Sequence, residues 1–214
     1  MSPAATRFNR REQILEAATT LFCRFGYDGT AIRAIAKDCG ITEAAIYRHF
    51  KGKAHLYEEV IRAKAAEHDI PRRVAALTNE GPIESVLSEM ATAVLDLASH
   101  DPQLMAMMFH NSLESGEMAT LLFREIRMPF IENLAAELDR RVSLGQIRPI
   151  EPFITARCFI GMVMDCALNI GVWEKITETQ FQAGDVVCNN VPIFARGLEP
   201  VGVDYGAGQT GSMS

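Results

Sequence analysis

The chain has 214 residues, 48% of them apolar, and a formal net charge of −6, so it is too long for one small module and apolar enough to bury a sizeable core. The overall acidity argues against a nucleic-acid binder until the charge is divided: residues 1–64 carry 11 Lys/Arg against 7 Asp/Glu, and residues 65–214 carry 10 against 20. The basic N-terminal part can therefore meet DNA while the acidic remainder is repelled by it, which disfavours wrapping DNA around the whole chain.

The opening MSPAATRFNR has no apolar run and predicts no signal peptide. Asn9 and Glu12 are spaced as a capping box for a first helix. Its stripe is Ile14, Leu15, Ala18, Leu21, Phe22 and Phe25, and Gly26 ends it. Thr30 is predicted to cap a second helix whose inner face is Ile32, Ile35 and Ala36, at spacing i, i+3, i+4. Gly40 suits the left-handed position after that helix. Thr42 caps a third, very short helix, with Ile41 and Ile46 as a hydrophobic staple and Phe50 closing the apolar side. Two short helices joined by a glycine turn form a helix-turn-helix, which places its second helix in the DNA major groove. Lys51-Gly52-Lys53 opens a fourth helix with Leu56, Tyr57, Val60 and Ile61 inside.

Further helices are predicted from Pro82 to about His100, and from Asp101-Pro102 through LMAMMFHNSL. A longer one runs from Glu117 to Leu144, kinked at Pro129 and stopped by Gly145. Pro152 starts an apolar helix to Trp173. Its Arg157, Asp165 and Asn169 argue against a membrane span and for a helix buried on both faces. A last helix from Glu178 to Leu198 is interrupted at Pro192, and residues 201–214 form a Gly/Ser-rich disordered tail. Five cysteines without a C-x-x-C pair read as buried free thiols in a reducing cytoplasm. No strand alternation is visible, so the fold is predicted to be all-α with about nine helices. Its parts are a helix-turn-helix DNA-binding head over residues 8–52, a helical effector-binding and dimerisation body over 53–200, and the tail.

The segment from Arg11 to Val60 resembles the DNA-binding domain of the tetracycline-repressor (TetR) family. The matching residues are Ile14-Leu15, Ala17-Ala18, Leu21-Phe22, Gly26, Thr30, Ile35-Ala36, Gly40, Ile46-Tyr47, His49-Phe50, Lys53 and Leu56. The rest of the chain matches in architecture. The resemblance implies a ligand-responsive repressor that binds a palindromic operator as a homodimer and is released by a small apolar or amphipathic effector. It also implies that the final two helices of each subunit form a four-helix dimer interface.

Thr30 and Tyr47 are phosphate contacts by resemblance; their plainer roles are a cap and partial core packing. Lys53, at a helix start, and His49 are further phosphate candidates. Arg33 projects from the second helix toward base or phosphate, or into solvent. Thr42, Glu43 and Ala44 begin the recognition helix and meet base edges, where Ala44 and Ala45 offer apolar contact, for instance to a thymine methyl. Met90, Met105, Met108, Phe109, Phe123 and Met162 are candidates to line the effector pocket, against an ordinary core role at each position. Arg157, Gly161 and Asp165 share one face of the apolar helix, spaced for a two-fold crossing in which Arg157 meets Asp165 of a second copy; the alternative pairs both charges inside their own subunit. Val187, Val191 and Phe194 are the other candidate seam.

His68, His100 and His110 have no ligand spacing within one helix, so no metal and no cofactor are expected. The tail's GAGQTG follows no strand and opens no helix, so it is not a nucleotide site. No nucleophile-elbow, zinc-protease or P-loop pattern asks for an enzyme. The alternative function is a helical small-molecule-binding protein or enzyme with a helix-turn-helix-like head. A third reading is a DNA-bending protein, which the acidic body disfavours.

Overall fold

The computed structural model describes residues 9–77, 79–112, 116–170 and 181–200, and within them every regular element is helical. The elements are α1 (Arg10–Gly29), α2 (Ile32–Asp38), α3 (Glu43–Tyr47), α4 (Lys53–Glu67), α5 (Ile70–Ala75), α6 (Ile83–His100), α7 (Pro102–Ser112) and α8 (Glu117–Leu122). A π-helical turn (Phe123–Arg127) leads into α9 (Met128–Ser143), followed by α10 (Pro152–Leu168) and α11 (Ala183–Arg196). The expected tail, the Trp173 end of α10 and the Glu178 start of the last helix lie outside the described residues.

Asn9 caps α1 by accepting the Arg11 N–H at 3.2 Å. Ile14, Ala18 and Phe22 are fully buried, but Phe25 is 47% exposed and carries Arg24 on its ring. The backbone breaks one residue later, at Gly26 (φ 70°), so the buried stripe ends at Phe22 and Cys23. Phe22, Tyr27 and Tyr57 then form an edge-on aromatic cluster that fastens α4 to α1. Asp69 adopts a left-handed conformation after α4, and Pro71 begins the short α5, which the periodicity did not reveal.

Pro82 stands as the cap of α6, one residue outside it. The kink expected at Pro129 is taken up just before it. Proline cannot donate to the carbonyl four residues back and crowds it, so the preceding turn widens into the π-turn. In α9, Glu137 and Arg141 are both buried and pair at 2.6 Å, and Arg141 also donates to the Gly81 carbonyl at 2.8 Å. This pins α9 to the loop before α6.

The last two helices correct three expectations. α10 buries Ala156, Phe159, Ile160, Val163 and Ala167, but Ile154 is 61% exposed, and Arg157, Cys158 and Asp165 share its open side. It is therefore buried on one face in the single chain. α11 continues through Pro192 instead of breaking there. Cys158 and Cys188 are exposed, because they fall on the outer sides of these helices; only Cys23 is buried. One continuous apolar core nevertheless runs from Ile14 in α1 to Leu198 beyond α11. No helix among the described residues is long and apolar enough to cross a membrane.

Candidate nucleic-acid interface

α2 ends in a Schellman turn: the Ile41 N–H reaches the Ala36 carbonyl at 2.9 Å and Gly40 N–H reaches Lys37 at 3.1 Å. That closure needs φ +63° at Gly40, which a residue with a Cβ resists. Thr42 then caps α3 by accepting the Ala45 N–H at 3.3 Å. Ile46 and Phe50 are buried, and Ile41 packs against the same core. With its inner side so fixed, α3 turns Thr42, Glu43, Ala44, Tyr47, Arg48 and His49 outward. Tyr47 is 53% exposed although it is a large aromatic. Arg11 holds the arrangement from behind, lying over the Phe50 ring and pairing with Glu59 of α4.

Thr30 departs from expectation. The cap of α2 is Ala31, with no side-chain bond. Thr30 is 2% exposed, and its hydroxyl donates to the carbonyls of Gly26 at 2.8 Å and Leu21 at 3.1 Å. A hydroxyl spent in this way braces the end of α1.

Charge pairing separates the cations of the head. Arg62 is held by Glu58 and Glu59, and Arg11 by Glu59. Arg33, Lys37, Arg48 and Lys51 are exposed and form no ion pair among the described residues. Lys37, Arg48 and Lys51 were not singled out from the sequence; the signal was there, since none has an acid at helical pairing distance on the same face. Lys53 is less free than expected: its ammonium lies 4.3 Å from the Tyr27 ring centre and 3.5 Å from the Asp28 carbonyl, joining the start of α4 to the end of α1.

α1 packs on α4 and α7, and α4 packs on α8. A buried cluster fastens this junction. Lys64 Nζ and His68 Nε2, both on or just after α4, each stand 2.8 Å from the same oxygen of Asp101, while the other Asp101 oxygen accepts the Leu104 N–H of α7 at 2.9 Å. Burial alone would raise the Asp101 carboxyl, but the hydrogen bonds from Lys64, His68 and Leu104 outweigh it and hold the group below the usual carboxylate range. Burial likewise opposes the Lys64 charge, and Asp101 with Glu67 overcomes it, so the ammonium is held above its usual range. Glu67, His68 and Asp101 have the spacing of metal ligands, but Lys64 Nζ stands 3.0 Å from Glu67 and 2.8 Å from Asp101, in the place a cation would take. His100 lies apart, bonded to the Asp96 carbonyl.

The other predicted positions divide. Met90 and Met105 are 0% and 1% exposed and belong to the core. Met108, Phe109, Phe123 and Met162 are half-buried. A cleft of about 550 Å³ opens between Glu58 of α4 and Gly116–Arg124 around α8. Val191 is buried inside its own chain and leaves the candidate seam; Val187 and Phe194 are half-buried, the latter edge-on to Phe159 at 4.9 Å. At Gly161 a Cβ would lie 3.3 Å from Nη2 of Arg127 in the same chain.

A capped recognition helix with a polar outer face, set among unpaired cations, defines a DNA-binding helix-turn-helix protein. The family model for bacterial regulatory proteins of the tetR family matches residues 14–60, and the chain belongs to that family of transcriptional regulators. It is 31% identical over 192 residues to the HTH-type transcriptional regulatory protein RaaS of Mycobacterium tuberculosis, covering 87% of this chain and 85% of that one. It is 26% identical over 179 residues to the transcriptional repressor AcnR of Corynebacterium glutamicum, covering 84% and 90%. The crystal structure of AibR, in complex with isovaleryl coenzyme A and operator DNA, shares the fold with a TM-score of 0.64 at 21% identity, over 90% of this chain and 99% of that one.

Proposed function

We propose that this protein is a cytoplasmic, ligand-released repressor acting as a homodimer on a palindromic operator. The observation that carries it is the outer face of α3, where Thr42, Glu43, Ala44 and Tyr47 are exposed between the unpaired cations Arg33, Arg48 and Lys51. Residues 8–52, with Lys53 at the start of α4, read the DNA, and residues 53–200 bind the effector and dimerise. Thr42, Glu43 and Ala44 meet base edges; Arg33, Tyr47, Arg48, His49, Lys51 and Lys53 meet phosphates. The exposed Ile154 and Ile193 on the outer sides of α10 and α11 support a seam between copies, with Cys158 and Cys188 beside them. AcnR is a repressor and AibR binds both an acyl-coenzyme A and operator DNA, which supports the same logic here.

Mechanically, α4 is the element that both halves share. Its Glu59 holds Arg11 of the head, its Glu58 lines the α8 cleft, and Lys64 and His68 latch it to Asp101. An effector that favours one position of α8 against α4 shifts the spacing of the two heads, by as much as its affinity differs between the two states. A gel shift with DNA from upstream of the protein's own gene, followed by a small-molecule screen for release, tests the reading. Binding without sequence preference, or a bound complex that no compound releases, would count against it.

A further inference from the structure

The π-turn ends on Arg127, whose Nε is buried without a hydrogen-bond partner, alone in that state among the described residues. Its guanidinium carbon lies 5.7 Å from the centre of the Phe123 ring. Arg157, reaching across from the open side of α10, lies 5.2 Å from the same ring. The neighbouring arginines all have carboxylates: Arg124 pairs with Glu125, and Arg140 and Arg141 with Glu137. Arg127 and Arg157 pair with no acid among the described residues. Burial first, and the nearby Arg157 charge second, depress the Arg127 pKa below the usual guanidinium range.

Two guanidiniums drawn to one ring, one of them half-buried, repel each other at short range. Structural arginines in such places are normally met by a carboxylate, and buried donors by an acceptor. Here the backbone holds the pair without one. Phe123 and Arg127 open and close the π-turn that Pro129 imposes. On α10, Gly161 presents no side chain where a Cβ would come within 3.3 Å of Arg127 Nη2. Half-buried Phe123 supplies apolar surface beside both charges, and half-buried Met162 follows Gly161 on α10.

We propose that Arg127 and Arg157 together bind the oxyanion of the effector, a carboxylate or a phosphate, with its apolar part lying along Phe123 and Met162. The paired planar donors of arginine match either oxyanion. This rests on the reading of the body as effector-binding, and it narrows the effector to an amphiphilic anion. Asp165 of a second copy is the competing acceptor. It lies two turns beyond Arg157 on the same helix, and the Gly161 surface where copies would have to cross is filled by Arg127 of the same chain.

The test uses the full chain, with octanoate, octyl phosphate, octanol and inorganic phosphate as probes, read by calorimetry and thermal shift. One or both anionic amphiphiles bind, octanol binds at least about tenfold more weakly, and which anion binds tighter tells a carboxylate effector from a phosphate one. Inorganic phosphate binds more weakly than octyl phosphate, because it lacks the apolar part. Arg127→Met and Arg157→Gln each weaken the anionic probe by about tenfold or more, while Arg140→Gln, whose guanidinium already has Glu137, leaves it within about twofold. Without ligand, Arg127→Met melts no lower than the parent, since it removes an unpaired buried charge; a purely structural arginine would show a loss.

Octanol binding as tightly as octanoate, or unchanged affinities in both arginine variants, would overturn the proposal. So would loss of the dimer on sedimentation in both Arg157→Gln and Asp165→Asn, which would assign the arginine to a second copy. Operator binding, followed by gel shift in the same variants, keeps the two readings apart. DNA bound and released by a neutral compound sinks the anion site alone, whereas no sequence-preferring DNA binding sinks the regulator reading.

Discussion

The hydroxyl of Thr30 donates to two carbonyls of the α1 end, and Thr30→Val removes both bonds while preserving shape. That change costs about 1–2 kcal/mol in stability, read by urea unfolding, and leaves the salt dependence of DNA binding unaltered. A lower salt slope would restore Thr30 to the phosphate contacts. Arg48→Ala has the opposite signature, because Arg48 is exposed and unpaired: melting stays put and the salt slope falls by roughly one. Lys53→Ala moves both, since its ammonium also sits over Tyr27. At Ala44, a glutamate adds bulk and negative charge on the exposed side of α3. Ala44→Glu abolishes operator binding with helicity and dimerisation intact; binding kept within a few-fold would show that α3 docks on another face. These outward positions were legible in the sequence, because the cap at Thr42 and the buried Ile46 set the rotation of so short a helix. The inward turn of Thr30 was not, because its acceptors lie four and nine residues back, beyond the break at Gly26.

Among the elements, the junction of α4 with α6 and α7 depends on one carboxylate. Asp101 is held ionised below its usual range, so its contribution is present above about pH 4 and is lost as the pH falls through the lowered folded value. Lys64 is held above its usual range, so its contribution is complete below about pH 10 and is lost as the pH rises through the folded value. Asp101→Asn leaves the buried Lys64 with only the exposed Glu67 as an ion pair, which costs roughly 2 kcal/mol near neutrality. The difference between parent and variant, followed by urea unfolding, shrinks at both ends of the pH range. A difference that stays constant from neutral pH to pH 3 would remove Asp101 from the latch. Asp101-Pro102 was legible as a helix start, but its partners Lys64 and His68 were not, because nothing local links the end of α4 to a turn 33 residues further on.

For the whole molecule, the open sides of α10 and α11 matter most. Paired substitutions Ile154→Glu and Ile193→Glu put charge on the most exposed aliphatic residues of the two helices. Together they yield monomers on sedimentation at micromolar concentration, and they abolish tight operator binding with the separate heads still folded. A dimer that survives both would place the seam elsewhere. Gly161→Leu, by contrast, crowds Arg127 within its own chain and perturbs the π-turn before it perturbs assembly.

The sequence by itself determined the helical class, the start of most helices and the outward face of α3. Those features rest on local physics: caps, glycine turns, proline positions and a repeat of apolar residues that one helix displays without help from another. Tertiary structure decided where side chains shared by several elements spend their charge and volume. It turned Thr30 inward, gave Lys64 and His68 to Asp101, filled the Gly161 gap with Arg127 and buried Val191 while leaving Ile193 in the open. Both valine and isoleucine fit an apolar stripe equally well. Which of them faces the chain's own core depends on the roll of α11 against α6 and α10, and that is set by packing across residues far apart in the chain.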